Sequence, residues 1–144
     1  MTRKPNRPRR LVVDADTVYL WKVGHQHTPV AGRFRDCRTT LSLRHEGTTP
    51  RLVIAFREAA GRFIADGYYW PPGSVGDTAQ NELNLYEPGA ARRLIDVATA
   101  RGLLPAPPGT TEVDGWPLFD AVVAGADRQP VSVQSQGSRG RWDS

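Results

Sequence analysis

The sequence predicts an α+β domain: an antiparallel β-sheet of about five strands, one main helix packed on one face of it, and a short second helix near the C-terminus. Three observations carry that expectation. Apolar and polar residues alternate with period two over Asp36–Glu46 and Arg51–Arg57. One amphipathic segment of helical period runs from Pro88 to Gly102, and the strand patterns precede the helical ones. The links between successive strand patterns are only a few residues long. That favours antiparallel neighbours, because parallel ones need long crossovers.

The elements follow in order. Leu11–Val13 is a short apolar run, and Asp14-Ala15-Asp16 is turn chemistry. Thr17–Val23 reads as a strand with Tyr19, Trp21 and Val23 on one face and Val18, Leu20 and Lys22 on the other. Gly24 and Pro29 tend to end it. Asp36–Glu46 turns Cys37, Thr39, Leu41, Leu43 and His45 one way and Arg38, Thr40, Ser42, Arg44 and Glu46 the other. Arg51–Arg57 directs Leu52, Ile54 and Phe56 inward, and Arg62–Tyr69 is a fourth long strand. Trp70–Asp77 has the composition of a loop, and Glu82–Tyr86 that of an edge strand.

The main helix starts at Pro88, whose fixed φ and missing N–H suit a first turn, with Glu87 beside the positive end of the dipole. Ala91, Leu94, Ile95 and Ala98 fall at i, i+3, i+4 and i+7, and Gly102 suits the terminating position. Leu103–Gly109 is a proline-rich connector. Asp114–Val123 starts the second helix, with Pro117 near its beginning and Leu118, Phe119, Val122 and Val123 as anchors.

A chain of 144 residues is expected to form one domain, spanning residues 10–128, with a basic arm over 1–9 and a tail over 129–144. The tail holds a short strand pattern at Val131–Val133. A single cysteine excludes an internal disulfide framework, and no apolar run approaches bilayer length, so a cytoplasmic protein is expected. The net charge of +4 is unevenly placed: Arg3, Lys4, Arg7, Arg9 and Arg10 lie in the first ten residues, and the body from Leu11 to Arg128 carries −2. On that count nucleic acid is an unlikely partner, except through non-specific contacts of the arm.

The segment Gly24–Cys37 concentrates two of the three histidines and the cysteine. If the strand ending near Val23 continued and the intervening residues closed as a hairpin, His25 and His27 would share a face and Cys37 would come alongside His27. Two imidazoles and a thiolate could then hold zinc or ferrous iron with an open position, with Asp36 nearby. No downstream metal signature accompanies the pair, which favours a solvated loop with a structural cysteine. A Cys37–His45 nucleophile pair is excluded, because eight residues of strand separate them by about 26 Å. No G-x-S-x-G or G-K-[ST] motif is present. The other cluster is Asp66–Gly73, where Tyr68, Tyr69 and Trp70 precede two prolines. Stiff aromatic loops suit binding surfaces.

The run from Leu83 through Leu104-Pro105, followed by Glu112–Phe119, resembles the C-terminal part of small uncharacterised proteins of high-GC actinobacteria. The resemblance covers about a third of the chain. It implies a bacterial cytosolic protein and carries over no catalytic residue.

Together these features lead to the expectation of a small cytosolic binding module with no cofactor. It would recognise a protein partner or small ligand through Tyr68, Tyr69 and Trp70, helped by Tyr19 and Trp21. The alternatives are a metal-dependent enzyme or sensor built on His25, His27 and Cys37, and weak nucleic-acid binding through the arm.

Overall fold

Short turns bring successive strands side by side. β1 (Arg9–Asp14), β2 (Thr17–Val30), β3 (Arg33–His45) and β4 (Arg51–Arg57) pair in order, each antiparallel to the last. β5 (Arg62–Ile64), β6 (Ser74–Asp77) and β7 (Glu82–Asn84) form a second, three-stranded sheet. Then come α1 (Pro88–Ala100), β8 (Thr110–Asp114) and α2 (Trp116–Ala126). β8 joins the first sheet beside β4, and parallel to it. The structure is a computed structural model and describes residues 8–30, 33–65 and 73–126, with backbone alone at 26–30 and 33–36.

The fold is α+β, with a mixed and mostly antiparallel five-stranded sheet. The parallel pair differs from the all-antiparallel expectation. Its cause is the long path from Arg57 through the second sheet and α1, which supplies the crossover a parallel neighbour needs. Two strands escape the sequence patterns. β6 lies in the stretch read as a loop, and β8 lies between a proline-rich connector and a helix start. The fourth strand pattern also divides: its described part, β5, belongs to the second sheet. The strand pattern at Val131–Val133 lies outside the described residues.

Alternation decides which side of the large sheet is packed. Tyr19, Trp21, Val23, Leu41, Leu43, Leu52, Ile54 and Phe56 are all buried on one face, as the period-two pattern predicts. Ala90, Ala91, Leu94, Ile95 and Ala98 of α1 join the same core, with Trp116, Leu118, Phe119 and Val122 of α2. Ile64, Val75, Leu83 and Leu85 extend it to the second sheet. Fully burying one large apolar side chain contributes about 1.5–3 kcal/mol, so this continuous layer dominates stability.

The helix ends obey local rules. Glu87 is the N-cap of α1 with extended backbone, Pro88 fills the first turn, and Gly102 follows the C-cap at φ 78°. Between β8 and α2, Gly115 is required by crowding: a Cβ there would lie 2.5 Å from the buried Phe56 ring.

Local carboxylates fix the turns. Asp14 accepts the backbone N–H of Asp16 at 2.9 Å, so the Asp14-Ala15-Asp16 step is a turn held by its own side chain. Asp77 accepts the side-chain amide of Asn81 and the backbone N–H groups of Asn81 and Ala79, which hold its carboxyl below the usual carboxylate range. Its lowered folded-state value sets the sign of a pH effect. Stability contributed by Asp77 is present above the unfolded value of about 3.9 and is lost as pH falls through the folded one. Urea midpoints measured from pH 6 to pH 2 should therefore fall less steeply in Asp77→Asn than in the parent.

Candidate functional site

β2 runs on past Gly24 to Val30, and β3 begins at Arg33, so residues 24–30 and 33–37 form the distal part of a long β-ribbon and not the expected solvated loop. Gly24 suits this course, since a Cβ there would press to 3.1 Å on the Thr40 hydroxyl of its cross-strand partner. Pro29 is tolerated because it pairs with Phe34 in a ribbon that has no third strand beside it among the described residues.

The hairpin carries a β-bulge. Gln26 pairs with Arg38 and Thr28 with Arg35, so His27 on β2 stands opposite both Asp36 and Cys37. The backbone thus brings the histidine and cysteine positions together, with His25 one step away opposite Thr39. His25 is exposed, and its Nδ1 lies 2.9 Å from the buried Thr39 hydroxyl. Cys37 is half-buried against the core. The His27 side chain lies outside the described residues. Among the described residues no group of three or more His, Cys, Asp or Glu side chains is placed to hold a metal ion.

Tyr68, Tyr69 and Trp70 lie outside the described residues. Tyr19 and Trp21 are core residues, 7% and 1% exposed. The Tyr19 ring stacks obliquely on His45 at 5.6 Å, and burial raises its phenol pKa. Trp21 lies under the Arg9 guanidinium, 4.4 Å from the ring centroid, while Arg9 donates to the Tyr86 carbonyl at 2.8 Å. These contacts tie β1 to the entry of α1. A cavity of about 90 Å³ opens beside Tyr19, His45, Thr48, Pro50 and Leu104. That is well short of the roughly 300–1,000 Å³ of a small-molecule site.

The feature that sequence reasoning missed is the other face of the large sheet. The register places Arg10, Leu20 and Arg44 in one row across the strands, and Lys22, Ser42, Val53 and Glu112 in the next, with Arg51 on the same face of β4 as Val53. Arg38 and Arg57 form a further row. None of these residues belongs to the core cluster. Six cations therefore share the face with Glu46, Glu112 and Asp114. Arg10 pairs with Glu46 at 2.9 Å, and Glu112 receives Arg57 at 2.9 Å and Arg38 at 3.3 Å. Arg44 donates to the Thr48 carbonyl. Lys22 and Arg51 form no ion pair among the described residues.

The remaining described carboxylates lie elsewhere: Asp14 and Asp16 in the first turn, Glu58 after β4, Asp77 and Glu82 in the second sheet, Glu87 and Asp96 at α1, and Asp120 on α2. The body's small net negative charge is thus the sum of two unlike sides. A shallow groove on the cationic side is lined by Pro8, Leu20, Lys22, Ser42, Arg44 and Arg51.

No described helix is long and apolar enough to cross a membrane. Compared with family models, curated proteins and solved structures, the chain matches none.

Proposed function

We propose that this protein is a non-catalytic binding domain that engages its partner through the open face of the five-stranded sheet. One observation carries this reading: both helices and the second sheet share the core on one face, while none of the residues on the other joins that core. Leu20 and Val53 are only half-buried there, between long charged side chains, although Thr40 and Ala55 of the same face are buried. Such a surface, with apolar patches between charges, has the make-up of an interaction site. The Tyr68–Trp70 segment would supply a second contact.

The chain offers a direct test, because its lysines are Lys4 and Lys22, and Lys22 sits on the open face. Amine acylation, normalised to an added reference peptide, should modify Lys22 readily in buffer. In an extract of the producing cells its modification should fall several-fold. Equal modification of Lys22 in both would overturn the reading.

A further inference from the structure

We infer that the open sheet face binds double-stranded DNA through its phosphates, without sequence preference. This rests on the open-face reading and names the partner. The argument begins with charge. Lys22, Arg44 and Arg51 converge on one groove with the Ser42 hydroxyl, and neither Lys22 nor Arg51 is neutralised by an ion pair among the described residues. Point charges and guanidinium forks beside a hydroxyl suit phosphate oxygens.

The second observation is the extent of the basic face. Beyond the pairing of Gln26 with Arg38, the β2–β3 hairpin continues as a two-stranded ribbon. Because Thr28 pairs with Arg35 and Val30 with Arg33, positions 35 and 33 fall on the same face by register as Arg38. Arg3, Lys4 and Arg7 immediately precede Pro8 at the groove. By register the basic face therefore continues from the sheet along the described part of the ribbon.

Shape and chemistry then choose among polyanions. Among the described residues no aromatic side chain on this face offers a platform on which unpaired bases could stack. Two strands about 4.8 Å apart make a ribbon that the B-form major groove, about 12 Å wide, admits. The deep, narrow major groove of A-form RNA does not. The geometry favours a DNA duplex over single strands and over duplex RNA.

The full chain should be titrated into a labelled 20-base-pair duplex of arbitrary sequence, by fluorescence anisotropy, over a salt series. Binding should be independent of sequence, and log K should fall linearly with log salt. Each neutralised phosphate contributes about −0.9 to that slope. Lys22→Gln with Arg51→Gln should flatten the slope by about 2 and weaken binding at least tenfold at 50 mM salt, with an unchanged melting temperature. Absence of duplex binding at 50 mM salt would overturn the inference. So would an unchanged slope in the double variant, with binding lost on deleting residues 1–7, since the arm alone would then be the site. Equal or tighter binding to the single strand, to duplex RNA, or to phosphatidylserine vesicles would overturn it as well. Nuclease treatment of the extract before acylation separates the two levels. Lys22 protection that survives DNase overturns DNA as partner and leaves the open-face reading standing. Protection absent before DNase overturns both.

Discussion

Trp116→Ala is expected to lower the unfolding free energy by about 3–5 kcal/mol. Trp116 is 6% exposed and joins three parts of the structure. Its ring meets Phe56 of β4 edge-on at 5.1 Å and Phe119 of α2 at 5.3 Å. The indole Nε1 donates to the Arg57 carbonyl at 2.9 Å, and the Arg62 guanidinium stands 5.0 Å from the ring centroid. Truncation removes the ring volume and leaves that carbonyl without its indole donor. Arg62 is also fixed from the other side by two hydrogen bonds to Asp120 of α2, at 2.7 and 2.8 Å. Urea unfolding followed by far-ultraviolet circular dichroism measures the change. A loss below about 1 kcal/mol would show that the α2–β4 seam is not packed as described.

Leu94→Ala and Arg92→Ala form the second test, on one helix and opposite faces. Leu94 is fully buried in the core, and its truncation should cost about 2–5 kcal/mol. Arg92 is half-buried, pairs with Asp96 one turn on at 3.1 Å, and lies near enough to Asp14 to help lower its carboxyl pKa. Its loss should change stability by less than about 0.5 kcal/mol. Chemical denaturation of the two variants side by side gives the comparison. Similar midpoints for both would mean that α1 does not roof the sheet.

Much of this architecture is written in local pattern. α1 is legible because Pro88, Gly102 and the spacing of Ala91, Leu94, Ile95 and Ala98 all agree. β3 and β4 are legible because seven or more residues give alternation enough periods to be counted. Three- and four-residue strands such as β5, β6 and β7 offer barely two periods, and β6 consists of Ser, Val, Gly and Asp, which also make turns. β8 is held by a partner almost sixty residues earlier in the chain, and a local window cannot contain that pairing. Gly24 and Pro29 carry stop signals that the hairpin overrides, because cross-strand pairing with β3 satisfies the backbone on one side.

The candidate site was harder to read for a different reason. Summing charges along the chain assigned the basicity to the termini, yet Lys22, Arg38, Arg44, Arg51 and Arg57 are scattered singly through three strands. Only the register, which stacks them across neighbouring strands, makes them one surface. Acidic residues on α1, α2 and the second sheet cancel them in a linear count but not in space. The histidine–cysteine juxtaposition at the bulge was readable as a conditional geometry, and the backbone meets its condition at the level of register.

The back-to-back arrangement of the large sheet has an evolutionary consequence. Along β2, β3 and β4, alternate residues serve the core while their neighbours lie on the other face, so the two duties are interleaved residue by residue within the same strands. Substitutions at Leu20, Ser42 or Val53 can retune what the surface attracts while Trp21, Leu43 and Leu52 keep the chain folded. On the proposed function, partner choice can drift in such a lineage at little thermodynamic expense, whereas a one-residue insertion in any of these strands would exchange the two faces at once.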